Sequence, residues 1–162
     1  MRGRRPLGMY ISMKTILAIL FVAAPFSANA ITWKVIGACS ETPLYQGTAA
    51  ADLSKSVGDN TIQIFDANKV NYTGVAEGIS SVNDSPVGLD AVEVVSDTLM
   101  RAYGWCYSVN GKVPLAMPHK VSFTSQNDEL VWFYAYSTND KNQWIDMCVP
   151  GTKIKPDQFC KK

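Results

Sequence analysis

The sequence predicts an α+β fold in which strands form one sheet beside one or two short helices, with a C-terminal tail stapled by disulfides. Three observations predict it. Alternating runs at Thr32–Ile36, Trp105–Val109 and Lys120–Thr124 have the two-residue period of strands. Glu129–Ser137 is apolar on both alternating faces: Leu130, Trp132, Tyr134 and Tyr136 share one, and Val131, Phe133 and Ala135 the other. That is the pattern of a central strand covered on both sides. Finally, Leu89, Val92, Val95, Leu99 and Ala102 recur at spacings of three and four. Glu93, Asp97 and Arg101 fall on the opposite side, which predicts an amphipathic helix over 89–102 with Asp90 near its start.

The chain begins with a different kind of segment. Four of its 15 basic residues (Arg2, Arg4, Arg5, Lys14) and none of its 14 acidic ones precede Ile31. An apolar run, Ile16–Ala24, follows, and then Pro25 and the small-x-small ending Ala28-Asn29-Ala30. Together these are the pattern of a cleaved secretory signal over residues 1–30. Met13-Lys14 also makes a conventional signal start, which reads residues 1–12 as an over-long gene model. Arg4-Arg5 is followed by Pro6-Leu7-Gly8, a poor twin-arginine context. The apolar run is short of the roughly 20 residues a membrane span needs. The remaining 132 residues carry 11 basic against 14 acidic side chains, a net charge of −3. No basic field suits nucleic acid, and no second long apolar run suits a membrane.

The expected product is an exported, periplasmic or secreted, monomeric domain over 31–137 with a cysteine-bearing tail over 138–162. Its four cysteines (Cys39, Cys106, Cys148, Cys160) form an even set, read as two disulfides in an oxidising compartment. Pro150-Gly151 and Pro156 favour closing Cys148 on Cys160 and leaving Cys39 with Cys106. The alternative joins Cys106 to Cys148 and Cys39 to Cys160.

Within the domain, Thr32–Ile36 ends at Gly37, and Cys39–Asp59 reads as a loop. Asp66 is placed to cap a short helix carrying Val70. Ile79–Val82 is a brief strand closed by the turn residues Asn83-Asp84-Ser85-Pro86. Asn110-Gly111 favours a type I′ hairpin turn after Trp105–Val109, with a return strand at Lys112-Val113-Pro114 made irregular by its proline. Gln126-Asn127-Asp128 turns into the last strand.

Gly104-Trp105-Cys106-Tyr107-Ser108-Val109-Asn110-Gly111 resembles the transcobalamin-like C-terminal domain family, exported bacterial domains of largely unknown function. That family carries an aromatic-x-Tyr-x-Val-Asn-Gly hairpin, an acidic turn and an apolar-x-Trp-x-Tyr strand. The later parts correspond to Gln126-Asn127-Asp128 and Leu130–Tyr134; Thr61–Ala67 and Ile79–Asn83 are similar upstream. The resemblance spans residues 32–137. It departs at Cys106 inside the hairpin motif, in the longer Pro86–Tyr103 segment and in the tail. It implies a β-grasp-like mixed sheet crossed by one helix. In animal cobalamin carriers the similar domain packs over a corrinoid as half of a clamp whose other half, a large helical domain, has no counterpart here.

Catalysis has little to work with. His119 is the only imidazole, without a motif around it, and reads as a surface histidine; no metal-ligand spacing, phosphate loop or nucleophile elbow occurs. The reading is a non-enzymatic module with no cofactor and no metal. Trp105, Tyr107, Trp132, Tyr134 and Tyr136 are the candidate ligand-binding residues, able to stack on a planar or corrinoid-like molecule or to enter a protein interface. Core packing is the competing reading of all five. Tyr45, Tyr72, Tyr103 and Trp144 are assigned to exposed loops, and Asn71-Tyr72-Thr73 and Asn83-Asp84-Ser85 are sequons. Two functions follow: a module for a planar small molecule, or a structural or adhesive envelope domain binding another protein through the sheet edge or the tail.

Overall fold

The computed structural model describes residues 29–160. The expected export signal lies outside the described residues except for Asn29 and Ala30. Ile31–Ile36 forms the first strand (β1), and its alternation turns Ile31, Trp33 and Val35 inward. Tyr45–Ala49 (β2) pairs antiparallel with it, inside the segment expected to be a loop. That segment also starts the single α-helix among the described residues, Val57–Ala67 (α1), nine residues before the cap expected at Asp66. The cap is Ser56 instead. Its hydroxyl accepts the Asp59 N–H at 3.0 Å and donates to the Asp59 carboxylate at 2.5 Å, a reciprocal bond at the helix start. Val57, Thr61, Ile64 and Phe65 line the buried side at helical spacing.

A two-stranded ribbon follows, Tyr72–Val75 (β3) with Gly78–Val82 (β4), the latter as expected. Its turn presses on α1: a Cβ placed on Gly58 would lie 1.9 Å from the Ala76 carbonyl oxygen. Because that neighbour is backbone, Gly58→Ala is expected to destabilise the domain by about 1–3 kcal/mol as an overpacked contact. A chemical-denaturation midpoint unchanged from the parent would contradict it.

The expected helix over 89–102 is instead a short 3₁₀ turn (Gly88–Ala91) and a hairpin of Val92–Val94 (β5) with Leu99–Val109 (β6). Leu89 is 90% exposed and Val95 43%, and none of the other three stripe residues is buried, so the supposed apolar stripe buries little. The β-branched run Val92, Val94, Val95 prefers extended backbone. The reversal comes at Ser96, whose hydroxyl accepts from Leu99 N–H at 3.2 Å. Glu93 and Arg101, spaced to align along a helix, stand directly opposite each other across the hairpin, with Arg101 donating to Glu93 at 3.1 Å.

Asn110 (φ 52°) and Gly111 (φ 73°) make the type I′ turn, closed by reciprocal bonds between Val109 and Lys112. The return strand expected at 112–114 does not form, nor does one at Lys120–Thr124, where Lys120 ends a 3₁₀ turn (Pro118–Lys120) and Ser122 makes an isolated bridge to Ser56. Pro114 has no N–H to give a ladder. The partner of β6 is Glu129–Asp140 (β7), in register from Leu99↔Asp140 to Val109↔Leu130. The tail then folds back as Gln143–Pro150 (β8) on β7. The sheet order is β2-β1-β7-β6-β5, with β1 parallel to β7. β1 and β8 share one edge of β7, beside Glu129–Phe133 and Ala135–Asp140 respectively. The fold is therefore α+β with a mixed sheet.

All four cysteines are bonded, in the pairing opposite to the one favoured: Cys39–Cys160 and Cys106–Cys148. The reason is β8. As a strand along β7 it carries Cys148 across the sheet toward Cys106, with Cα atoms 5.8 Å apart. The chain beyond it then returns to the loop after β1, where Cys160 meets Cys39. Two disulfides point to an oxidising compartment, and no helix among the described residues is long and apolar enough to cross a membrane.

Asp128 secures the base of the β6–β7 pair. Its buried carboxylate accepts from Asn110 Nδ2 at 2.9 Å, Thr124 N at 2.7 Å and Ser125 N at 3.0 Å, while Asn110 Oδ1 accepts from Glu129 N. Burial pushes this carboxyl upward, but the donated hydrogen bonds outweigh it and hold its pKa below the ordinary value. A depressed folded pKa stabilises fully above the unfolded carboxylate value of about 4 and is lost as pH falls through the folded value. Asp128→Asn is expected to flatten the acid limb of stability below about pH 4. Urea midpoints from pH 6 to pH 2 would read this, and parallel curves for parent and variant would refute it.

Candidate functional site

The five aromatic residues singled out in the sequence do come together. Cross-strand register sets Trp105 opposite Tyr134 and Tyr107 opposite Trp132, while Tyr136 faces Tyr103. Trp105 and Tyr134 meet edge to face at 5.4 Å between ring centroids, and Tyr107 and Trp132 are also 5.4 Å apart. They do not form an open platform. Tyr107, Trp132 and Tyr134 are buried at 6%, 2% and 2% exposure, and only Trp105 and Tyr136 are half-buried.

Most of their polar atoms are engaged by the fold. Trp132 Nε1 donates to Thr61 on α1 at 3.0 Å, and Tyr107 donates to the Ala116 carbonyl at 2.7 Å. Trp105 Nε1 donates to Ser85 at 2.8 Å and Tyr134 to the Pro86 carbonyl at 2.9 Å. Burial pushes the Tyr134 phenol up to about 12. Tyr103, assigned to an exposed loop, is buried in β6 under Phe159 and donates to Glu93 at 2.5 Å. That bond, with Arg101, holds the Glu93 carboxyl below its usual range. Trp144 is 53% exposed, on β8 rather than in a loop; Tyr45 and Tyr72 are half-buried on β2 and β3.

Trp105 is the residue around which open space gathers. One hollow of about 290 Å³ lies behind the sheet under Trp144 and Met147. A second, about 460 Å³, lies between Trp105, Tyr134, Phe159 and the Asn83–Pro86 turn. The third, also about 460 Å³, is a groove along the outer edge of β6. Trp105, Tyr107 and Trp132 contribute to its floor, the 113–118 segment forms one wall, and Met147 and the Cys106–Cys148 bridge form the other. Leu115 is 104%, Met117 55% and Met147 66% exposed. The only charged residue lining the groove is Glu77, at the β3–β4 turn.

The wall residues were not singled out in the sequence. The signal was present: Pro114-Leu115-Ala116-Met117-Pro118 sets apolar side chains between two prolines, in a segment that no strand partner claims. His119 lies next to this wall, partly buried, with Nδ1 lacking a partner among the described residues. No group of three or more His, Cys, Asp or Glu among the described residues is arranged to hold a metal ion. The chain matches no protein-family model, no curated protein and no solved structure.

Proposed function

We propose that the chain is an exported, non-enzymatic binding module of β-grasp-like design that holds its ligand in the groove along β6. The central parallel pair, β1 with β7, the flanking antiparallel strands and the single crossing helix support the β-grasp reading. One observation carries the binding reading. Leu115, Met117 and Met147 stand exposed around a concave floor of aromatic rings, where a soluble domain gains nothing by leaving them bare.

Of the two ligand classes raised by the sequence, the geometry favours a protein partner at the sheet edge. A corrin-sized planar ligand needs a broad open aromatic face, and three of the five rings are covered. The second reading, a smaller planar molecule, is favoured by Trp105, half-exposed among three hollows. Tryptophan fluorescence titrated with hydroxocobalamin and with anilinonaphthalene sulfonate tests it. Saturable quenching by either, lost in Leu115→Asp/Met117→Asp, supports a small-molecule site. No response at high micromolar concentration removes that reading.

A further inference from the structure

The backbone of β6 alternates its hydrogen bonds between two sides, and three contacts fix which residues face which. Asn110 N–H donates to Glu129 O, so the even-numbered residues of β6 bond to β7. Val95 N–H donates to Leu99 O, and Val109 exchanges bonds with Lys112, so the odd-numbered residues face away. On that outer side β5 pairs only with Met100–Ala102. The outward N–H and C=O groups of Trp105 and Tyr107 have no hydrogen-bond partner among the described residues, and they border the groove.

Open strand edges are normally blunted by lysine, proline, a bulge or a covering element. Gly104–Ser108 reads Gly-Trp-Cys-Tyr-Ser and carries no lysine, proline or register shift; β4 and the 113–118 segment lie beside it, but neither bonds its backbone. We infer that an extended peptide segment of a partner protein adds as a strand to the outer edge of β6. It would place alternate apolar side chains against Leu115, Met117 and Met147 and a basic residue against Glu77. The inference rests on the groove being the ligand site and names its occupant.

Two features select this occupant. The open edge, Gly104–Ser108, is about 16 Å long at roughly 3.3 Å per residue. Taken with a strand's width of about 10 Å, it offers on the order of 200 Å². A stable dimer needs roughly 800 Å² from each subunit, so a second copy paired through this edge is too small. A short strand held by main-chain bonds and side-chain contacts is the size that fits. The lone acidic residue in an otherwise apolar lining selects a basic residue at one end of that strand. The Cys106–Cys148 bridge fixes both the edge strand and the Met147 wall, so the site is formed before the peptide arrives.

The test uses the disulfide-intact domain and an array of octapeptides alternating Thr with Leu, Val, Met or Phe, each with Lys, Glu or Ala at either end. A Lys-ended member is expected to bind, with slowed exchange of the Trp105 and Tyr107 amide hydrogens. Methylating its alternate backbone nitrogens should weaken binding at least tenfold. Glu77→Lys should shift preference to Glu-ended peptides. Binding that survives N-methylation, or that leaves both amides exchanging freely, overturns strand addition. Failure of the whole array while anilinonaphthalene sulfonate still fills the groove overturns the inference and leaves the binding module standing; failure of both removes the groove as a site. A concentration-dependent dimer protecting the same two amides would assign the edge to a second copy and also overturn it.

Discussion

Trp132→Ala is expected to lower the unfolding free energy by about 3–5 kcal/mol, the cost of deleting a large buried aromatic residue. Trp132 is 2% exposed in the middle of β7, packed at a tilt against Tyr107 and bonded through Nε1 to Thr61 on the helix. Its removal opens a cavity between sheet and helix and leaves Thr61 with only its bond to Val57 O. For a domain of ordinary stability, 5–15 kcal/mol, that alone can bring it close to unfolding. Trp132→Phe separates the contributions. It keeps a ring while removing the hydrogen bond, and should cost less. Urea unfolding followed by circular dichroism measures both. A Trp132→Ala variant within about 1 kcal/mol of the parent would show that the helix does not depend on this contact.

The second large effect belongs to the Cys39–Cys160 bridge. It closes 121 residues and the Cys106–Cys148 bridge 42, the smaller loop lying within the larger. With the inner bridge intact, the outer one closes an effective loop of roughly 80 residues, worth about 4.5 kcal/mol in the chain-entropy account; the inner one, taken alone, is worth about 3.9 kcal/mol. Cys39→Ser/Cys160→Ser should therefore be the more damaging pair to thermal stability. The inner pair should do more harm to peptide binding, because it holds the groove wall. Calorimetry of the two double variants gives the stability order, and the reverse order would show that packing at β8 outweighs loop closure.

Strands were legible where the two-residue period ran through residues buried on at least one side, as in β1, β4 and β7. The two-sided apolar pattern of Glu129–Ser137 correctly marked the sheet's centre, since β7 has neighbours on both edges. What failed had a physical cause in each case. Residues 89–102 satisfy helical spacing because a tight hairpin also brings residues eight apart together, as Glu93 and Arg101 show. β2 was hidden because Tyr45–Ala49 is largely exposed and carries little period. The cysteine pairing turned on β8, whose exposed, mixed sequence looks like a tail until its pairing with β7 is known. At the site, the aromatic rows were readable, but which rings the helix and loops would cover depends on packing between distant segments. The groove wall belongs to a segment whose significance comes only from the strand edge it runs beside.

The shared edge of β7 also dictates when the domain can become complete. β1 pairs with residues nearly one hundred positions later in the chain, and β8 with the other half of the same strand. Contacts this distant in sequence form slowly, because the intervening chain must be ordered before they contribute. Thr32 must wait for Glu129, and Cys39 for Cys160. A chain made from its N-terminus therefore carries β1 unpaired on its β7 side until Glu129–Phe133 has been synthesised. The β5–β6–β7 hairpins can form on their own before then. β1 docks only after β7 exists, and oxidation of Cys39 with Cys160 then locks it in place.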